Sequence, residues 1–415
     1  MKTLTESEPN EEPEASLRLP LAFVLLTTMI DSIGIGLVLP VMPALLREIS
    51  GVDLANAAVL GGILITSFAV MQFLFGPIIG ALSDRYGRRP ILLISLVILA
   101  FDYLVMAVAQ VFWLLLLARF VAGIMAATQP TALAFMADIS KPEDKAARFG
   151  MIGAAFGIGF VLGPVLGGFL AEFGTRAPFY AAAALAAATA LFGYFVMPET
   201  NKTRRPLTRE RINPFGAFRH VTANPALRSI VILFFLYQVA FFVYPAIWAY
   251  FTEARFGWDP RMIGMSLGAF GVAIALVQGA LIRPLMRFLG DSGTVIYGLV
   301  FNFFAFLVLA FIESSIWALI FIPFTALGAV VTPAIQGIMS RMTADDSQGE
   351  LQGVLASANA VATIISPFVM TQIFAAFTSD DAPVFLPGAP FLLSMLLMIA
   401  CAAVFLTRPS ADPSI

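Results

Sequence analysis

GALSDRYGRRP, residues 80–90, is a polar island between two apolar runs, GGILITSFAVMQFLFGPII (61–79) and ILLISLVILAFDYLVMAVA (91–109). Six of its eleven residues are charged or Gly. Each flanking run approaches the length of about 20 apolar residues that crosses a bilayer as a helix. The island therefore reads as a turn at a membrane surface, and the rest of the chain repeats the pattern. Twelve apolar runs are predicted to span, at 19–44, 55–80, 90–109, 112–137, 146–172, 177–198, 227–252, 261–288, 293–312, 315–339, 349–376 and 389–407. They are too long and too continuously apolar for barrel strands, so an all-α membrane protein is expected. The composition agrees: 60% of the residues are hydrophobic and 12% charged, against about 45–50% and about 25% in soluble domains.

The net charge of −2 conceals a segregation of signs. Nineteen of the 24 Lys and Arg fall in the N-terminal tail, the alternate loops that include 80–90, and the C-terminus. Arg47, Arg176, Arg255 and Arg261 fall on the other side, and Arg119 lies within a span. The excess of cations marks the cytoplasmic face and puts both termini there. Residues 6–14 are rich in acids, so no signal peptide is read at the start. The lone Cys401 gives no disulfide framework, and the lone His220, in a loop, argues against a His-based metal site. No GxxxxGK motif is present, which speaks against ATP as the energy source.

The longest polar interruption, 199–226, divides the chain into a tail (1–18), a six-helix half (19–198), a central cytoplasmic loop, a second six-helix half (227–407) and a short tail (408–415). A shift of 203 positions pairs Gly76 with Gly279, Gly87 with Gly290, Pro130 with Pro333, Met136 with Met339, Gly150 with Gly353 and Pro164 with Pro367. Such duplicated halves place a substrate site between them, near the midplane.

Three motifs add a resemblance. GALSDRYGRRP resembles the cytoplasmic loop motif of the major facilitator superfamily. GIGFVLGPVLGG (157–168) resembles the fifth-helix motif of its drug–proton antiporters, and LLLARFVAGIMAATQP (115–130) the fourth-helix motif with an intramembrane Arg. DSIGIGLVLPVMP (31–43), ARFGWDPRMIGMSLGAFG (254–271) and QGELQGVLASANAVATIISP (348–367) are similar to bacterial tetracycline-efflux proteins. The resemblance implies a proton-coupled drug efflux antiporter of the bacterial inner membrane. Its substrate would be tetracycline, carried as a divalent-metal complex. It calls for no cofactor, no protein-held metal, no nucleic acid and no protein partner beyond the lipid bilayer.

Intramembrane charge is costly, on the order of 3 kcal/mol per group, and marks function. Asp31, Asp102 and Arg119 are the candidates for proton coupling, with Arg119 expected to pair with one of the two acids. Gly157, Gly163, Pro164, Gly167 and Gly168 are expected to let the fifth helix pack closely and serve as a pivot. The cations Arg85, Arg88 and Arg89 satisfy the topology, and Gly80 and Gly87 give packing and a turn. Asp84 needs a mechanical role: a latch to the N-terminus of the eleventh helix near 348–353, with Arg88 holding it. In the repeat register Asp84 falls on Arg287, so this latch is one-sided. The cavity is expected to draw on an aromatic stripe of the seventh helix (Tyr237, Phe241, Trp248) and on Gln72, Gln129, Gln238, Gln278, Asn302, Gln336 and Asn359. Asn302 stands where the resembled proteins typically carry Asp, and Ile274 where many carry His. An amide does not titrate, so coupling is expected to rest on the first half. A metabolite symporter is the alternative transporter; a receptor would need a soluble signalling domain.

Overall fold

The computed structural model describes residues 14–126, 128–140, 144–201, 212–214, 225–344 and 347–408. His220 and most of the central loop lie outside them. The described residues are helical, with no strand among them. In chain order the helices are α1 (Glu14–Val38), α2 (Met42–Ser50), α3 (Leu54–Tyr86), α4 (Arg88–Val108), α5 (Phe112–Ile124), α6 (Thr128–Ile139), α7 (Lys145–Leu170) and α8 (Ala177–Val196). The second half holds α9 (Pro225–Phe241), α10 (Val243–Phe256), α11 (Pro260–Leu276), α12 (Ile282–Phe311), α13 (Ser315–Thr325), α14 (Val331–Arg341), α15 (Gln348–Ala376) and α16 (Ala389–Leu406).

Several neighbours run on as one rod. A 3₁₀ turn at Leu39–Val41 joins α1 to α2 around Pro40, whose ring and missing N–H interrupt the α-ladder. By length and composition, 11 helical stretches among the described residues can cross a membrane. Ten correspond to expected spans within a few residues. The expected spans 261–288 and 293–312 both fall in one stretch, Pro260–Phe311, of 52 residues, broken by a kink at Gly290. The helix turns there within one residue, Gly290 (φ 65°, ψ 178°), so the ladder resumes almost at once.

The two halves are pressed together at one end of the bundle and splayed at the other. At the end carrying Gly51, a methyl group on Gly168 would lie 2.7 Å from the Pro260 carbonyl oxygen and 2.9 Å from Arg261 Cα. Thr66 Oγ1 donates to the Ile364 carbonyl (3.1 Å), tying α3 to α15. At the end carrying Gly87, methyl groups on Gly76, Gly80, Gly150, Gly153, Gly157, Gly279 and Gly349 would meet nothing within 4 Å. Within the first half, Gly163 lets α7 approach α1: its methyl would sit 2.7 Å from the Ile33 carbonyl oxygen and 2.8 Å from Gly36 Cα. Gly167 meets Leu37 Cα at 2.9 Å in the same way. Gly157 departs from the expected packing set: α7 still packs on α1 at Gly159, whose methyl would run into the Met29 carbonyl oxygen, but a methyl on Gly157 would point into open space. Gly80 likewise packs against nothing here.

Candidate functional site

Between the splayed ends lies a cavity of about 410 Å³. Its wall is built mainly by the first half. Asp31 and Ile35 come from α1, Phe68 and Gln72 from α3, Tyr103 from α4 and Arg119 from α5. Thr128 and Gln129 come from α6, and Phe156 and Phe160 from α7. The second half contributes Phe242, Pro245, Ala246, Thr363 and Pro367, all apolar but one. Charge and hydrogen-bonding capacity are therefore concentrated on one side of a largely greasy chamber, an arrangement that orients an amphipathic guest. Phe156 and Phe160 stack with centroids 6.3 Å apart and planes 14° apart. Ser32 Oγ donates to the Phe156 carbonyl (2.8 Å), which fixes that pair relative to α1.

The three intramembrane charges separate into two kinds. Asp102 is 2% exposed, and Arg119 Nε donates to its Oδ1 at 3.1 Å while the guanidinium also engages Oδ2. The same guanidinium lies over the rings of Phe68 (5.3 Å) and Tyr103 (6.0 Å). Of the two acids open to Arg119, then, Asp102 is the partner. Asp31 faces the cavity half-buried, and no hydrogen bond or ion pair to it forms among the described residues. Tyr103 packs beside it: a methyl on Gly34, one helical turn along, would lie 2.7 Å from the Tyr103 hydroxyl.

Several residues expected on the wall lie elsewhere. Tyr237 is buried within the second half, stacked on Phe241 at 5.8 Å and 19°. Trp248 donates from Nε1 to Ser266 Oγ (2.9 Å) and is likewise buried. Gln238 donates to Asn359 Oδ1 (2.5 Å) and accepts from Thr332 (3.4 Å), cross-linking α9, α14 and α15. Gln278, in the π turn Val277–Leu281, and Gln336 are exposed away from the cavity wall. Asn302 is buried and donates from Nδ2 to the carbonyls of Gly298 (2.9 Å) and Gly328 (3.0 Å). Gly328 sits in the 3₁₀ segment Ala326–Val330, where the helical ladder is broken and a carbonyl needs a donor. Tyr237 donates to the same carbonyl at 3.2 Å. An amide suits this place: a carboxylate has no proton to give.

The loop 80–90 is a knot of charges. Gly87 (φ 116°) ends α3, in a conformation that side chains rarely adopt. The Glu199 carboxylate accepts from the N–H groups of Arg88 (2.9 Å) and Arg89 (3.2 Å), capping α4. Arg88 engages Asp84 (2.5 Å) and Asp138 (3.2 Å). Asn201 Nδ2 donates to the Asp84 carbonyl oxygen (2.6 Å). Arg89 donates to the Tyr194 carbonyl (2.5 Å), and Arg85 lies 5.3 Å over the Tyr86 ring. Sequence reading overlooked Asp138 and Glu199, and the aromatic wall of Phe68, Tyr103, Phe156 and Phe160. The repeat register held a signal for Asp138. Arg88 and Asp138 map by 203 positions onto Asp291 and Arg341, which also form an ion pair, with the signs exchanged. The second half thus has its own loop staple, beneath its own left-handed glycine, Gly290.

This geometry has known counterparts. Residues 24–288 match the Major Facilitator Superfamily. This chain belongs to that superfamily. It is a multi-pass membrane transport protein, not an enzyme. The class C tetracycline resistance protein of Escherichia coli is 41% identical over 360 residues, 86% of this chain and 90% of that protein. The class B protein of Escherichia coli is 34% identical over 393 residues, 94% of this chain and 96% of its own length. Among solved structures, the human organic anion transporter MFSD10 superposes with a TM-score of 0.70 at 25% identity, covering 95% of this chain and all of that one. A bacterial homologue of the lysosomal transporter Spinster, in an inward-facing and unoccupied conformation, gives 0.75 at 16% identity, covering 95% and 97% of the two chains.

Proposed function

We propose that this superfamily member is a proton-driven efflux antiporter of the bacterial inner membrane that exports an amphipathic drug by alternating access. Tetracycline is the leading substrate, carried as a divalent-metal complex. The observation that carries the reading is Asp31, a carboxyl without an ion-pair partner among the described residues, on the wall of a cavity between the two halves. It can exchange a proton with the chamber or meet a cationic group of the drug, and it cannot do both at once. That exclusion is what antiport requires. Arg119 lies on the wall with its partner Asp102 buried behind it, and the pair fixes the electrostatics beside Asp31.

In this reading the chain crosses twelve times in two six-helix halves. The stretch Pro260–Phe311 turns at Gly290 to supply two crossings; 52 residues at 1.5 Å each measure about 78 Å, more than twice the roughly 30 Å hydrocarbon core. The Gly87 end, where the cations gather, faces the cytoplasm, as do both termini. The splayed end is then the cytoplasmic mouth, open for loading, and the Gly51 end is the closed extracytoplasmic side. When the mouth shuts, Gly80 and Gly157 lose their open space, and Asp84 reaches the N-terminus of α15 as a latch. One proton moving down about 100 mV supplies roughly 2.3 kcal/mol, enough for about a 40-fold gradient of drug.

The test is uptake into inverted membrane vesicles with an acid interior. Tetracycline with magnesium should accumulate, and unrelated cationic drugs should accumulate less. If the gradient moves no amphipathic drug, the efflux reading is wrong. Asp31→Asn should abolish gradient-driven uptake at normal expression; undiminished uptake would remove Asp31 from the proton path.

A further inference from the structure

The four arginines that the topology leaves on the extracytoplasmic face each have an acid partner. Arg176 with Glu48 (3.0 Å) and Arg255 with Glu313 (3.1 Å) join elements of one half. Arg47 with Glu253, and Arg261 with Glu172 (2.9 Å), join one half to the other. Both cross-pairs stand above the tight seam at Gly168 and Pro260.

Arg47 and Glu253 are also equivalent positions of the duplicated rim, which repeats at 206 positions, three more than the 203 of the cytoplasmic loops. Arg47 leads to Gly51-Val52-Asp53, and Glu253 leads to Gly257-Trp258-Asp259, 206 positions on. Gly51 and Gly257 both have φ 65° and end their helices in the left-handed conformation. Asp53 and Asp259 both cap the next helix, accepting from the N–H groups of Asn56 (2.7 Å) and Met262 (2.8 Å). The rim is thus the same structure built twice. A contact between equivalent positions of two related units lies on the axis that relates them. An unaltered duplicate would set like charges there; here the signs are opposite.

We propose that Arg47 and Glu253, assisted by Arg261 and Glu172, form an extracytoplasmic latch on the pseudo-twofold axis. It holds the carrier with its cytoplasmic mouth open and breaks each time the outer side opens. The exposure of the groups suits this duty. Arg47 and Glu253 are 41% and 21% exposed, and Arg261 and Glu172 are both 49% exposed. Pairs this wet separate at little cost, because water replaces the partner. A fully buried pair would lock the halves. The inference rests on the halves rocking apart, and not on which compound or ion is moved.

The test needs neither drug nor gradient. Cys401, the chain's one cysteine, is changed to Ser, and Ile35→Cys places a reporter on the cavity wall. A membrane-impermeant maleimide is then added to the extracytoplasmic side of right-side-out vesicles, and the labelling rate is measured. Arg47→Gln and Glu253→Gln should each raise that rate about two- to fivefold. The exchanged variant Arg47→Glu with Glu253→Arg should return it toward the parent value, which a merely damaged fold would not do. Labelling at the parent rate in both single variants overturns the proposal, as does acceleration that the exchange fails to reverse. A vesicle preparation that moves no drug yet shows this labelling pattern would refute the efflux reading and leave the latch intact.

Discussion

Replacing Arg119 by Gln should damage this protein more than removing both members of its ion pair. Asp102 is 2% exposed and has two contacts to the guanidinium, so Arg119→Gln leaves a carboxyl group buried without its cation. Breaking a buried pair from one side costs about 3–5 kcal/mol. Asp102→Asn leaves the guanidinium better placed, because it still lies over Phe68 and Tyr103 and borders the cavity. That variant should lose about 1–3 kcal/mol, the range for a buried group deprived of a partner. In the double variant Asp102→Asn with Arg119→Gln, two amides of similar volume can hydrogen-bond, and no ionised group is stranded. Its stability should lie above that of Arg119→Gln alone. The assay is thermal unfolding of the purified protein in detergent, followed by monodispersity after heating. Arg119→Gln should lower the midpoint by roughly 5 °C, given the small shift per kcal/mol in a long chain. If that single variant melts with the parent, or if the double variant is no more stable than the single, the pair does not have the energetics inferred from its burial.

Asn302→Asp should destabilise the second half by about 1–3 kcal/mol, since a carboxylate cannot donate to the Gly298 and Gly328 carbonyls; unchanged thermal stability would show that the amide is dispensable. Asp84→Asn should slow turnover while leaving drug affinity near normal, measured by uptake rate and equilibrium binding; equal turnover would reduce loop 80–90 to a topological turn. Gly168→Val should strain the seam against Pro260, at a cost of about 1–3 kcal/mol, and favour the outward-open form. External labelling of a cavity cysteine would report it, and a slower rate than the parent's would contradict it.

How far a sequence reveals such a molecule depends on what the bilayer makes expensive. Asp31, Asp102 and Arg119 stand out because charge within an apolar span has few innocent explanations, and all three gather around one cavity or directly behind its wall. Loop 80–90 stands out for the opposite reason, as an excess of charge where a turn alone needs little. The aromatic stripe Tyr237, Phe241 and Trp248 misleads because a membrane helix is apolar all round. Periodicity cannot then say which face meets a cavity, a neighbour or lipid. Those rings fill the interior of the second half, while the plainer Phe156 and Phe160 line the chamber. The ion pairs of the rim were illegible for a different reason: Arg47 and Glu253 are 206 positions apart, and only the folded rim brings them together. The abruptness of the turn at Gly290, one residue between two helices, rests on a single backbone torsion, which composition does not record.

The opposite signs at Arg47 and Glu253 also determine which fragments can assemble. If the chain were cut in the central loop and each piece expressed alone, a pair of first halves would bring Arg47 against Arg47. A pair of second halves would bring Glu253 against Glu253. Like charges facing one another across an axis disfavour both self-pairings, while the mixed pairing restores the attraction. The contact therefore works as a matching rule between two pieces of common design, and co-expressed fragments should find each other in preference to themselves.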